Sequence, residues 1–376
     1  MRTQAAVLFE MEKPRPYAAS RPLEVLEVEL EGPGPGEVLV EVMAAGLCHS
    51  DLSAIDGTRP WPLPIVLGHE AAGIVRAIGA GVRGLAEGDH VVFSFVPMCG
   101  LCRYCFQGRP HLCERGVQAN REGRLLTGAR RFYLEGRPLH HHLGVAAFAR
   151  YTVAAQESLV PIPRDIPLEK AALFGCAITT GVGAVLNTAR VEEGASVAVF
   201  GLGGVGLAAV MGAVLAGAHP IVAVDLLPHK LGLAQALGAT YTVVAGEEDA
   251  VGVVRELTGG GVDYAFETAG SVEAMLMAYQ ATRRGGVTVA VGLPHPQKAL
   301  VLPAVSLAAE ERTLKGSYMG SSNPRRDLAR FLALYRAGRL PLEALVSRTL
   351  PLEAINEGFD RLAQGEVVRQ IVVPTG

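Results

Sequence analysis

At 376 residues the chain exceeds the length at which one hydrophobic core usually stops growing, so two domains are expected. A formal charge of −3, with 19% charged residues and no long basic run, gives no electrostatic footprint for nucleic acid or an anionic membrane, which leaves small molecules and copies of the chain itself as partners. The apolar run before Glu10 is too short for a signal peptide, and in the cytoplasmic, reducing setting this implies, clustered cysteines point to metal rather than disulfides.

In chain order, Leu23–Leu30 alternates apolar and charged residues, Gly32-Pro33-Gly34-Pro35-Gly36 makes a turn, and Val38–Val42 resumes the alternation, as in antiparallel strands. The second strand delivers the chain to Gly46-Leu47-Cys48-His49-Ser50-Asp51, which is followed by Gly68-His69-Glu70. Cys48 and His69 are zinc ligand types with carboxylates nearby to orient them, but a catalytic zinc takes three protein ligands and keeps a fourth position open. The chain has 6 cysteines; Cys99, Cys102, Cys105 and Cys113 crowd together, so Cys176 is the one left to complete the trio. The alternative is a buried thiol and a satisfied histidine. Pro60-Trp61-Pro62-Leu63-Pro64 stiffens the loop into His69, with Trp61 either packing or walling a substrate entrance.

The spacing of Cys99, Cys102, Cys105 and Cys113 lets one loop wrap four thiolates around a tetrahedral zinc with no open position, hence a structural ion. Reactive or disulfide-bonded cysteines and an iron–sulfur cluster are the alternatives. The loop-rich stretch 114–150 ends in His140-His141-His142; neighbouring side chains diverge, so loop packing is expected. Leu168 to Leu186 reads as helix on either side of a Cys176 loop.

From Gly194 to Val224 the chain carries no Asp, Glu, Lys or Arg, which imitates a membrane span of roughly 20 apolar residues. Its glycines and Pro220 divide it instead into strand, glycine turn, helix and strand. Val197–Phe200 precedes Gly201-Leu202-Gly203-Gly204-Val205-Gly206, a helix follows, and Asp225 ends the next strand. Gly201, Gly203, Gly204 and Gly206 suit a tight turn and close approach to a pyrophosphate, while Asp225 accepts from ribose hydroxyls and repels a 2′-phosphate. Leu226 and Leu227 follow and no arginine waits for that phosphate, which favours NAD over NADP. Further strand signals near 241–244, 262–266, 287–291 and 313–319 complete a doubly wound, six-stranded parallel sheet; Leu328–Tyr335 reads as helix, and Val367–Val373 as a strand returning to the first domain.

The order of these parts resembles that of the zinc-containing medium-chain alcohol dehydrogenases over essentially the whole chain, in its liver-type, long-loop branch. The resemblance implies an α/β protein with a mostly β, GroES-like catalytic domain (1–177 and 322–376) and a Rossmann domain (178–321). It implies catalytic zinc on Cys48, His69 and Cys176, structural zinc on the cysteine cluster, and NAD as coenzyme. It also assigns Ser50 to a proton relay, Asp51 to the support of His69, Glu70 to the neighbourhood of the metal and Phe95 to the substrate pocket. Thr180, Val205, Lys230 and Arg369 fall where the family contacts the coenzyme, and His49 where it anchors the pyrophosphate. A dimer is implied over a tetramer. Two positions depart from relatives: Ser53 stands where liver-type members often have a relay histidine, and Val117 where glutathione-dependent formaldehyde dehydrogenases have arginine. The expected activity is reversible oxidation of an alcohol, primary first, with S-(hydroxymethyl)glutathione oxidation and a non-catalytic NAD-binding paralogue as the rivals.

Overall fold

The computed structural model describes residues 1–246 and 249–374. The chain forms two compact units: Met1–Cys176 with Asn323–Ala329 and Val346–Gly376, and Ala177–Ser322 with Arg330–Leu345. The sequence places all of 322–376 with the first unit, but 330–345 group with the second, where Arg330 donates to Asn187 at 2.8 Å.

The first unit is built on two β-sheets. In one, the N-terminal strand Arg2–Leu8 lies antiparallel between Leu23–Leu30 and Ile65–Val66. In the other, Glu37–Gly46 is central and antiparallel to Glu70–Ile78, Tyr151–Ala155 and Arg369–Val373. Its β-branched residues Val38, Val40 and Val42 are fully buried, and burying them holds the strand in one register.

That register builds the site. Gly46 pairs with Glu70 and with Ile371. Continuing those antiparallel alignments past the strand ends sets Cys48, just beyond one strand, beside His69, just before the next, and opposite Arg369 of the closing strand. Gly175 brings in the third thiol. A Cβ there would stand 2.9 Å from the Phe93 carbonyl oxygen and 3.3 Å from the Ala71 amide nitrogen, so only glycine lets the backbone before Cys176 lie against those strands.

The second unit is one parallel sheet of six strands in spatial order Tyr241–Val244, Ile221–Asp225, Val197–Phe200, Val262–Glu267, Thr282–Ala290 and Thr313–Gly316. Numbered along the chain this is 3-2-1-4-5-6, the doubly wound order, with helices Gly204–Leu215, Pro228–Ala236, Ala250–Leu257 and Val272–Ala281 as crossovers. Ala198, Phe200, Val222, Val224 and Ala265 form its core. The charge-free stretch resolves as expected into strand, turn, helix and strand, and no single helix among the described residues is long and apolar enough to cross a membrane.

Candidate active site

Cys48 precedes the helix His49–Ile55, and Cys176 follows the 3-10 turn Ala172–Gly175. Together with His69 they are buried, at 5%, 6% and 1% exposure, and their ligand atoms lie within 4.8 Å of one another. The hydrogen bond between the two thiols dominates their chemistry: it holds Cys48 well below the usual thiol range, against the opposing effect of burial, and pushes Cys176 well above it. Such a pair, one member already inclined to the thiolate, suits a divalent cation that takes both as anions.

Asp51 supports the imidazole from behind. Its Oδ1 lies 3.1 Å from His69 Nδ1 and accepts the Gly68 amide at 3.1 Å. This directs Nδ1–H of His69 to the carboxylate and leaves Nε2 for a metal. Burial opposes the charge on Asp51, but the neighbouring imidazoles of His69 and His142 outweigh it and hold the carboxyl below its ordinary range. Burial likewise disfavours the imidazolium of His69, and Asp51, joined by Cys48, more than offsets it. On the other side, Glu70 Oε1 stands 3.3 Å from Arg369 Nε, and Arg369 Nη2 is 3.8 Å from Cys48 Sγ. Burial pushes Glu70 up to about 7 in spite of that guanidinium. Arg369, carried over from the resemblance as a coenzyme contact, is 2% exposed and packed at the metal end of this unit.

His142, expected from the sequence to pack in the loop, reaches the site. Its Nδ1 also lies 3.1 Å from Asp51 Oδ1, and its ring meets Trp61 edge to face at 4.8 Å. Phe95 makes the corresponding edge contact with His69 at 5.6 Å, so aromatic rings flank the imidazoles. Of the three adjacent histidines only His142 reaches the site: His141 accepts the Arg131 amide, and His140 stands beside Arg130. The run of three was the available signal, but which ring turns inward depends on the parallel pairing of Ile65–Val66 with His140–His141.

Cys99, Cys102, Cys105 and Cys113 come together as their spacing requires, with sulfurs within 4.8 Å of one another. Cys102 and Cys105 sulfurs are 3.6 Å apart, close to the roughly 3.8 Å edge of a tetrahedron with 2.3 Å zinc–sulfur bonds. Backbone amides of Leu101 and Cys102 donate to Cys99 Sγ, and those of Cys99 and Gly116 to Cys113 Sγ, as expected of thiolates. The donor set fits a closed, structural zinc.

In the second unit the glycine motif forms the turn between Val197–Phe200 and the helix Gly204–Leu215. Gly201 takes φ +91°, and a Cβ on Gly206 would collide with the Gly201 carbonyl oxygen, so both are required by the fold. Gly203 differs: at φ −71° a Cβ there would meet nothing within 4 Å, which leaves open space beside a helix N-terminus, the setting that an anionic group requires. Asp225 Oδ2 accepts the Leu202 amide at 2.6 Å and Oδ1 the Leu227 amide at 2.9 Å, which ties the acid to the glycine turn; each oxygen keeps a further lone pair for a ribose hydroxyl. Thr180 and Lys230 are nearly buried, each at 9% exposure, while His49 is exposed on the first turn of its helix. Ser50 is half-buried beside it, and Ser53 donates to the His49 carbonyl at 2.8 Å.

The sequence matches the alcohol dehydrogenase GroES-like domain family over residues 34–164 and the zinc-binding dehydrogenase family over 204–335. S-(hydroxymethyl)glutathione dehydrogenase of Paracoccus denitrificans is 37% identical over 385 residues, covering 99% of this chain and 100% of that protein. Among solved structures, an alcohol dehydrogenase zinc-binding domain protein from Burkholderia ambifaria superposes with TM-score 0.93 at 37% identity, covering 99% of each chain. Benzyl alcohol dehydrogenase from Acinetobacter calcoaceticus does so with TM-score 0.92 at 32% identity, again over 99% of each chain. The GroES-like β unit with its cysteine and histidine trio, joined to a parallel sheet with a glycine turn, is therefore a zinc-dependent, nicotinamide-cofactor oxidoreductase, and the chain belongs to the zinc-containing medium-chain alcohol dehydrogenase family.

Proposed function

We propose that the chain interconverts a primary alcohol, or a secondary one, and its aldehyde or ketone, with hydride passing to or from NAD. The buried Cys48, His69 and Cys176 trio carries this reading, because three soft ligands within 4.8 Å hold a zinc and leave a fourth position for substrate. Zinc bound there supplies Lewis acidity, favouring the deprotonated hydroxyl and stabilising charge on its oxygen. Cys48 and Cys176 bind as thiolates and His69 through Nε2, with Asp51 holding its Nδ1–H. Ser50 takes the hydroxyl proton. Ser53 does not extend the relay, since its own proton is committed to the His49 carbonyl. Phe95 and Trp61 supply an apolar wall. A second, structural zinc sits on Cys99, Cys102, Cys105 and Cys113.

Gly201, Gly203, Gly204, Val205 and Gly206 cradle the coenzyme pyrophosphate, and Thr180, Lys230 and Asp225 of the same unit are coenzyme contacts; His49 and Arg369 are coenzyme contacts by the family resemblance alone. NAD is preferred over NADP because Asp225 presents a carboxylate and Leu226 and Leu227 follow it. The sheet edge Thr313–Gly316, with Val301 79% and Val305 72% exposed nearby in sequence, supports a homodimer. The cysteines, all free thiols, suit a cytoplasmic setting.

The Paracoccus relative makes S-(hydroxymethyl)glutathione the second substrate reading. Val117 argues against it, because an uncharged side chain on the helix Glu114–Arg121 offers nothing to a glutathione carboxylate. A non-catalytic paralogue is the weaker rival, since no ligand of the trio is missing. The test is metal analysis combined with coenzyme-linked assays across aliphatic, allylic and aromatic alcohols and the formaldehyde–glutathione adduct. Two zinc ions per chain and turnover of free alcohols with NAD are expected. One zinc or none in fully active protein, or turnover of the adduct alone, refutes the reading.

A further inference from the structure

Asp51 is 0% exposed, and its two oxygens are used unequally. Oδ1 is crowded by the Gly68 amide, His69 Nδ1 and His142 Nδ1, each at 3.1 Å. Oδ2 is buried and has no hydrogen-bond partner among the described residues, and neither ring nitrogen of His142 makes a hydrogen bond there, although Nδ1 stands close to Oδ1. Three orphaned polar atoms in one dry place are costly unless they serve one another. Rotation about the carboxylate torsion, whose minimum is broad, would bring Oδ2 toward His142 Nδ1 while Oδ1 stays with His69 and Gly68.

His142 is well placed to hold that position. Its carbonyl accepts the amides of Val145 and Ala146, and the same loop is tied to the residues just before His69 through Ala147 to the Gly68 carbonyl and Phe148 to the Leu67 carbonyl. Trp61 closes over the ring. We propose that His142 is a positioning residue for the catalytic metal: it holds the second oxygen of Asp51, so that the carboxylate cannot turn away from His69 and the imidazole keeps its Nε2 on the ion. The inference rests on the metal reading of Cys48, His69 and Cys176. Carboxylates that orient a ligating histidine change metal affinity by roughly 10–100-fold when removed, and a residue one step further out falls at the lower end, about tenfold.

The readout is the rate of zinc loss to a chelator in the full-length protein, with the zinc of the cysteine cluster as internal reference. His142→Phe keeps a ring against Trp61 and removes the donor; it should speed loss of one zinc about tenfold and leave the other unchanged. His142→Asn, which sets an amide N–H near the place of Nδ1, should restore the slow rate. In an Asp51→Asn background, His142→Phe should add nothing further, whereas a merely structural effect would persist there. Two zinc ions in the wild type with an unchanged rate in His142→Phe, or the same increment with and without Asp51, overturns the inference alone. A wild type holding one zinc overturns it together with the metal reading, and three would show that Asp51, His69 and His142 bind a cation of their own instead.

Discussion

The glycine turn offers the sharpest separation of fold from coenzyme. Gly203→Ala places a methyl where nothing lies within 4 Å, on a backbone at φ −71°, ψ −174° that alanine adopts freely. The fold should not suffer; restricting the unfolded chain contributes about 0.4–1 kcal/mol of stability, a rise of roughly 1–4 °C for a unit of this size. The space it fills is the one assigned to the pyrophosphate. Holding phosphate oxygens off by a methyl should weaken NADH binding on the order of tenfold, about 1.4 kcal/mol. Gly206→Ala is the control of opposite sign. Its methyl would run into the Gly201 carbonyl oxygen and stand 2.7 Å from Thr268 Oγ1 and 2.9 Å from the Gly201 carbonyl carbon. The main obstacle is backbone, so about 1–3 kcal/mol should be lost, a fall of roughly 3–10 °C. Thermal scans without coenzyme and fluorescence titrations with NADH read the two effects apart. A Gly203→Ala protein that melts like the wild type and binds NADH equally well refutes the placement of the pyrophosphate.

Asp225→Gly should raise the NADP to NAD ratio of kcat/KM by removing a ribose acceptor and the charge that repels a 2′-phosphate; an unchanged ratio assigns Asp225 to the turn alone. His49→Arg should tighten NADH binding on the order of tenfold, about 1.4 kcal/mol, because a guanidinium stays charged and can bond two phosphate oxygens at once, whereas equal affinities would take His49 out of the coenzyme site. His141 bears on stability against pH. Burial, then Arg130 and Arg131, push its pKa down to about 3, so the fold keeps it neutral while the unfolded chain takes up a proton below about 6.5. Its contribution is therefore fully present above about 6.5 and is lost as pH falls toward 3, by up to about 5 kcal/mol. Denaturant unfolding of His141→Gln, which keeps an acceptor for the Arg131 amide, should show a flatter decline between pH 6 and 4 than the wild type, and parallel declines would contradict the assignment.

How far each part could be read in advance follows from the range over which it is encoded. The cysteine cluster was legible because all four ligands sit in one short loop, where spacing alone limits what they can enclose. The nucleotide-binding turn was legible for the same reason: strand, glycines, helix and terminal acid succeed one another, and the structure adds only that Gly203 is free of packing where Gly206 is not. Residues 330–345 were misassigned because a helix signal says what a segment is and nothing about which core receives it.

The candidate metal trio lies between these cases. Composition and cysteine counting named Cys48, His69 and Cys176, but their meeting depends on Gly46 pairing with Glu70 and on Gly175 packing against Phe93 and Ala71. Two groups around that trio, Arg369 and His142, were beyond any local pattern. Arg369 reaches Cys48 and Glu70 through the pairing of Ile371 with Gly46, across more than three hundred residues of chain. His142, rather than His140 or His141, turns to Asp51 because the short parallel pairing with Ile65–Val66 sets which ring faces inward. The sequence by itself determined the ligand types, the nucleotide turn and the two kinds of domain, since these are written within a few turns or strands of chain. The tertiary structure alone decided that Arg369 and His142 stand behind the ligands, because strand register is chosen by burial of whole faces and not by the spacing of the residues it brings together.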